Sequence, residues 1–449
     1  MSLPLLALIG AALRLRRNAR LARSQFEAER LQRFRNFVRY VQTHSPYYGQ
    51  IMQRHGISAT TCQPSDFPIL TKRLLRENFD RIVTDDRVRR EAIVNFLQRS
   101  REPQELYRGQ FIVLHSSGSS GEVGHFVFSR SDWMRGFAAL TRLYEPRLRR
   151  TRCAFYGATG GHYGGVSWAV TPSQRIGRYA FDVQGFDINA PLEQTLKQLH
   201  DFQPHILAGY ATGNKILAQA QVQGRLGIQP ETVLCGAESL SAGDQQWMGQ
   251  VFGCPCINIY GASETMLMGI ARPSDPGMTL FDDELIFEPA ADHVLVTNLF
   301  NRTMPLIRYR LSDSLRFTDR ASPYGHYPVI EPLVGREEWV PRFRNTLGQS
   351  EFLSASAIEE ASVPGIWRFQ LRCRDETSFR FAVCMDAGLD AVQQARAVQA
   401  VQGRLREILD KKGLSNVTFE IDVVEDIAVN PVTRKFQLVL PPPQPSQAQ

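Results

Sequence analysis

Residues 116–121, Ser-Ser-Gly-Ser-Ser-Gly, are six small residues in a row, led in by the apolar run Phe111–Leu114. Hydroxyl and glycine residues let a backbone fold tightly and aim several N–H groups and hydroxyls at one anion, most often a nucleotide triphosphate. The run is not a Walker loop, because no Gly-Lys-Ser/Thr ends it and it holds no Lys. By itself a Ser/Gly tract also reads as a solvated turn. A second glycine-rich stretch, residues 157–165, carries His162 and Tyr163. With Tyr210, Tyr163 suggests the wall of a flat pocket suited to an aromatic acid.

The elements around these loops alternate. Apolar runs at Thr151–Tyr156, Ile206–Tyr210, Thr232–Cys235 and Cys256–Tyr260 read as strands, and Leu192–Phe202 and Lys215–Gln223 as helices. This is the grammar of an α/β domain whose functional loops leave the carboxyl ends of strands. Ser129–Trp133 is a helix start, and Thr71 is placed to cap a helix running through Arg76 to Phe79. Residues 24–55 have helical periodicity broken at Ser45-Pro46, residues 90–113 are mixed, and Val294–Leu299 and Arg308–Ser312 look β-rich. After Gly335 a compact unit of small-domain size follows: a hairpin at 369–385, a long helix at 389–409 and a strand at 417–424. The expected division is therefore a large domain over 1–335, a small domain over 336–440 and a disordered Pro/Gln-rich tail over 441–449.

With 449 residues and 43% hydrophobic content, the chain is globular and multidomain. Its formal charge is +7 and its pI about 9.1, but the basic residues are almost all Arg and scattered, which argues against a nucleic-acid footprint. Lys72, Lys197, Lys215, Lys411, Lys412 and Lys435 are the only lysines, so each well-placed one is of interest. Seven cysteines without a C-x-x-C pair or zinc spacing read as free thiols in a reducing cytoplasm. Cys254 and Cys256 alternate in the predicted strand. The apolar stretch Ser2–Leu13 is too short to span a bilayer, and its arginines follow it instead of preceding it, unlike a secretory signal. Two readings stay open: an amphipathic helix docked on a membrane surface, or a first helix packed on its own domain.

The decisive feature is an ordered set of pieces. The Ser/Gly loop is followed by Gly236-Ala237-Glu238, Tyr260-Gly261-Ala262-Ser263-Glu264, Arg308-Tyr309-Arg310-Leu311-Ser312-Asp313, Gly335-Arg336 and Pro431-Val432-Thr433-Arg434-Lys435. This order resembles the adenylate-forming superfamily, and within it the phenylacetate–coenzyme A ligase and CapK-like branch. The Asp66–Lys72 segment resembles that branch too. The resemblance implies an α/β fold with a large multi-subdomain amino-terminal domain and a smaller mobile α+β carboxyl-terminal domain. It also implies an acid–thiol ligase using ATP, Mg²⁺ and coenzyme A, with a small-molecule carboxylic acid as substrate. An acyl-carrier protein, an amine or a sugar are alternative acceptors.

By the same resemblance, Ser116, Ser117, Gly118, Ser119, Ser120 and Gly121 hold the β- and γ-phosphates. Tyr260 and Gly261, with Gly236, Ala237 and Glu238, lie along adenine, and Asp313 accepts the ribose hydroxyls. Glu264 is the magnesium ligand, Arg336 contacts ribose or phosphate near the hinge, His162 borders the carboxylate, and Lys435 is the catalytic lysine. The sequence departs from the family pattern at Glu122, Trp339 and Arg434. Those departures leave a second reading, a non-catalytic homologue that binds nucleotide or acyl groups for a biosynthetic assembly.

Overall fold

A computed structural model describes residues 3–116, 124–143, 149–171, 178–290, 293–331, 339–361, 363–386, 388–427 and 437–442. Its centre is a nine-stranded sheet. Strands Phe181–Asp187, Thr151–Gly157, Ile206–Tyr210, Thr232–Gly236 and Cys256–Ala262 run parallel in that order. Met266–Ala271, Met278–Leu280, Val329–Ile330 and Phe317–Thr318 continue it antiparallel. Helices Leu192–Phe202, Ala211–Val222 and Ala242–Phe252 cover it, packing Leu196, Leu199, Leu217 and Met248 into a core with Leu207, Val233 and Cys256. Thr151–Gly157, Thr232–Gly236 and Cys256–Ala262 end in small residues, so their carboxyl ends open into turns that carry the polar motifs. Cys256 begins its strand and is buried, whereas Cys254 lies in the loop before it and is half-buried.

Two smaller sheets flank this one. Phe111–His115 pairs antiparallel with His125–Ser129, and Leu285–Pro289, Val294–Asn298 and Leu306–Leu311 form a meander. Both share a second core with the amino-terminal helices through Phe34, Val38, Val41, Phe126, Val296 and Tyr309.

Helices Leu3–Asn18, Arg23–His44 and Pro46–His55 confirm the helical period and its break, with Pro46 at a first-turn position where its missing N–H costs nothing. The first helix packs Ala11 and Leu15 on Ala138, and leaves Leu6, Ile9 and Leu13 exposed. Arg14 of this helix, arginines of the second helix and Arg142 face inward, onto a run of three carboxylates. Arg14 and Arg33 reach Glu284 at 2.7 and 2.9 Å, Arg23 and Arg30 pair with Asp282, and Arg142 holds Asp283 at 2.5 Å. Among the described residues no helix is long and apolar enough to cross a membrane.

The carboxyl-terminal unit has its own core and a four-stranded sheet in the order Thr418–Val423, Ser378–Met385, Ile366–Cys373, Val439–Leu440. Its long helix, Ala391–Lys411, opens on a capping box between Asp390 and Gln393. The unit meets the large sheet at residues 187–192. Lys412, 1% exposed, donates to the Ile188 and Ala190 carbonyls at 2.7 and 2.8 Å, and sits over the Phe352 ring. Glu351 accepts the Leu192 N–H at 3.0 Å, and Glu360 accepts from Asn189 at 2.7 Å. The fold is thus α/β with a large amino-terminal and a smaller carboxyl-terminal domain.

Candidate active site

The antiparallel pair 111–115 and 125–129 presents Ser116 and Gly124 at its open end. The Ser116 N–H donates to the Gly124 carbonyl, and the Gly124 N–H donates to Ser116 Oγ, both at 2.8 Å. Ser117, Gly118, Ser119, Ser120, Gly121 and Glu122 lie outside the described residues. Lys72 Nζ, the second residue after a chain bridge at Leu70, donates to Ser116 Oγ at 3.2 Å. A Cβ on Gly124 would come within 2.9 Å of the Phe126 ring and 3.1 Å of Lys72 Cε, so glycine is what lets the lysine stem pass.

Lys72 is positioned by backbone. Thr71 caps the helix Lys72–Glu77, accepting the Leu74 N–H at 3.2 Å. The Leu70 N–H donates to the Arg308 carbonyl, and Leu70 accepts from the Arg310 N–H, both at 3.0 Å. Arg308 has φ +51° and spends its guanidinium on the Phe67 carbonyl and Glu288. The Asp66–Lys72 segment is thereby stitched to the strand that carries Tyr309 and leads to Asp313.

Glu264 follows the strand Cys256–Ala262 and is 7% exposed. Burial pushes its carboxyl pKa up. The Lys72 ammonium and a hydrogen bond from Tyr309 oppose that rise, and Asp313 adds to it. Its own carbonyl accepts from Asn298 at 3.0 Å. The Tyr260 hydroxyl donates to Asp313 Oδ2 at 2.9 Å, and burial beside that carboxylate raises the phenol pKa well above its usual value. A Cβ on Gly261 would strike the Trp168 ring at 2.6 Å and the Met266 carbonyl at 2.8 Å. Gly236 ends its strand, Ala237 turns with φ +66°, and Glu238 accepts the Thr212 N–H at 2.8 Å.

The second glycine-rich stretch closes on the first. The His115 N–H donates to the His162 carbonyl at 3.1 Å, and Ser263 Oγ donates to the His115 carbonyl at 3.3 Å. The His162 ring is 1% exposed, 2.8 Å from Ser100 Oγ and against Phe96. Burial lowers its pKa, with nearby Glu105 pulling the other way. Tyr163 and Tyr210 are buried near Phe155 and His115. Arg336, Arg434 and Lys435 lie outside the described residues.

Tyr260, Glu264, Tyr309, Asp313, Lys72 and Ser116 therefore form one connected group drawn from four separate stretches of chain. Lys72 and Tyr309 had no assigned role in the sequence. Their signals were the scarcity of lysine and the capping Thr71 for the first, and membership of the Arg-Tyr-Arg piece for the second.

No protein-family model matches the chain. It is 23% identical to Protein CapK of Staphylococcus aureus over 306 residues, 63% of this chain and 61% of that one. It is 23% identical to a phenylacetate–coenzyme A ligase of Aromatoleum evansii over 328 residues, 66% of this chain and 67% of the ligase. Both relatives carry the names of the branch that the ordered motifs resemble. The match thus spans under two thirds of CapK's own length. Among solved structures, 2-hydroxyisobutyryl-CoA ligase in complex with 2-HIB-AMP and CoA superposes with a TM-score of 0.60 at 16% identity, covering 95% of this chain and 91% of that one. The same ligase in the postadenylation state with R3-HIB-AMP gives 0.58 at the same identity and coverage. These likenesses show that the chain shares the fold of that ligase along most of its length.

Proposed function

We propose that this adenylate-forming homologue activates a small carboxylic acid with ATP and passes the acyl group to coenzyme A. In the first step a carboxylate oxygen attacks the α-phosphorus, an O–P bond forms, and the bond to the β-phosphate breaks to release pyrophosphate. In the second a thiol sulfur attacks the acyl carbonyl, the C–O bond to AMP breaks, and the thiol proton passes to solvent. Such chemistry asks the protein for positioning and charge neutralisation. The observation that carries the reading is the joining of Tyr260 to Asp313, four residues beyond which Glu264 faces Lys72.

In this reading the Tyr260 ring and the Gly236–Glu238 turn border adenine, and Asp313 accepts the ribose hydroxyls. Lys72 supplies at Ser116 the cation that the Ser/Gly loop itself lacks. Glu264 fits a magnesium ion, a hard cation that binds through one or two carboxylates together with substrate phosphates and neutralises phosphate charge when bound. Arg336 and Lys435 keep the parts that the resemblance gives them, at the hinge and at the reacting carboxylate. His162, tied to Ser100, orients the pocket loop through its carbonyl on His115. The aromatic walls Phe155, Tyr163 and Tyr210 favour an aryl acid, and an acyl-carrier protein is the alternative acceptor.

ATP–pyrophosphate exchange against a panel of aryl, fatty and amino acids tests this. Mg²⁺-dependent exchange with at least one acid, strongest among aryl acids, is expected. No exchange with any acid, alongside intact AMP binding, would replace the reading with a non-catalytic nucleotide-binding homologue.

A further inference from the structure

Beside Lys72 a narrow cleft lies between the helix Lys72–Glu77 and the helix Arg90–Arg99. Lys72, Arg76, Arg90, Gly124 and His125 line it, with Phe79 as its apolar wall. Its charge is one-sided. Arg76 makes no ion pair among the described residues, and neither does the Arg90 guanidinium, whose Nε is buried without a hydrogen-bond acceptor. The carboxylate on this side, Asp80, is taken by the Arg90 backbone N–H at 2.7 Å.

Gathering three cations this closely costs free energy, and a buried donor left without an acceptor costs more. The burden registers on its members. Burial and the neighbouring Arg76 charge pull the Arg90 pKa down, with only Asp80 opposing. Burial holds the His125 imidazole at about 3, and His115, Arg90 and Lys72 each push it the same way. His125 is thus neutral and contributes a directional N–H or an acceptor, while the arginines contribute forked donors suited to phosphate oxygens. Nothing in the purely structural packing of these helices requires that arrangement; a polyanion resolves it. The cleft also lies next to Gly124, where the Ser/Gly loop rejoins its strand.

We propose that this cleft is a polyphosphate seat that receives the terminal phosphate of the nucleotide and then the released pyrophosphate. The assignment rests on the adenylation reading for its place in the reaction, though binding of the anion itself does not. Lys72 is shared: it bonds Ser116 and lines the cleft, so it bridges the inner phosphates and the seat that receives the leaving group. The rival occupant of the same chemistry is the 3′-phosphate of coenzyme A.

The test uses the full chain and inorganic pyrophosphate, titrated calorimetrically at low and moderate salt. Arg76 is exposed, so Arg76→Ala keeps the fold, and Arg90→Gln gives a second variant. Each is expected to weaken pyrophosphate binding about tenfold, the scale of one charge-assisted contact, and the double variant by about a hundredfold. AMP affinity and the melting temperature should stay at wild-type values. Pyrophosphate affinity within twofold of wild type in both variants overturns the seat. So does a pattern in which the variants lose only the preference for coenzyme A over its 3′-dephospho form, which assigns the cleft to coenzyme A. If wild-type protein binds no AMP yet pyrophosphate binding still depends on both arginines, the seat stands and the adenylation reading falls.

Discussion

The Tyr260 hydroxyl is bonded to Asp313 Oδ2 at 2.9 Å, so the residue proposed beside adenine also fixes the one proposed at the ribose. Tyr260 lies in the large sheet and Asp313 just past the last strand of the meander, and the bond sets the distance between the proposed base and sugar subsites. Tyr260→Phe keeps the ring and removes this bond. It is expected to raise the Michaelis constant for ATP about tenfold, the lower end of the worth of a hydrogen bond to a charged group. Asp313→Ala removes a charged acceptor and is expected to raise it roughly ten- to a hundredfold. Steady-state kinetics with ATP and deoxy-ATP check both; equal use of deoxy-ATP by the wild type would remove Asp313 from the ribose.

Glu264→Gln keeps shape and removes charge. Exchange activity should then need a higher Mg²⁺ concentration, because an amide cannot offset the metal's charge. Folding should hold, since the carboxylate is already strained by burial and a neutral group relieves that strain. A magnesium titration of exchange, alongside a melting curve, reads both. An unchanged magnesium dependence would take Glu264 out of the site.

Two lysines are expected to separate by half-reaction. Lys72→Met should slow adenylation about a hundredfold and leave transfer from a supplied acyl-adenylate untouched, since its partner Ser116 opens the proposed phosphate loop. Lys435→Ala should do the same through the reacting carboxylate. What distinguishes them is pyrophosphate: only Lys72→Met should also weaken binding of that anion. Lys411→Ala, a half-exposed lysine paired with Asp187, is the control and should alter neither step.

Glu360 gives a pH prediction. Burial raises its carboxyl to about 7, with Asp187 adding to the rise and Lys411 and Asn189 opposing it. A folded pKa above the unfolded value means the folded state binds more protons between the two. The stability contribution is complete below about 4.5 and is lost as pH rises through about 7. Glu360→Gln keeps an oxygen for Asn189 and does not titrate. The stability of the wild type relative to Glu360→Gln is therefore expected to fall by on the order of 1–3 kcal/mol from pH 4.5 to 7.5. Urea unfolding at several pH values measures it; a constant difference would place Glu360 in solvent.

Local elements were legible where period and caps agreed. The helix Leu192–Phe202, the hairpin expected at 369–385, the cap at Thr71 and the helix start at Ser129 all stand where the pattern put them. The stretch at 90–99 read as mixed because only Ile93 is fully buried, yet it is a helix. Tyr260, Glu264 and Asp313 were visible as motif members, but nothing local says that Tyr260 should reach Asp313 across two sheets. Lys72 was least legible. Its place depends on a backbone bridge between Leu70 and Tyr309, and backbone pairing between distant segments leaves no signature in side-chain type.

The run Asp282-Asp283-Glu284 carries one further consequence, for how much of the chain can be removed. Asp282 is 3% exposed and its cations are Arg23 and Arg30, while Glu284 is held by Arg14 and Arg33. Asp283, 1% exposed and paired with Arg142, also accepts from Asn18 at 2.9 Å, so the first two helices supply the counter-charge of two of the three carboxylates. Trimming the first two helices as dispensable leader would strand buried carboxylates beneath the large domain, a cost of several kcal/mol for each ion left unpaired. The amino terminus is the core's own counter-ion, and a fragment that begins after it starts with a charge defect already inside.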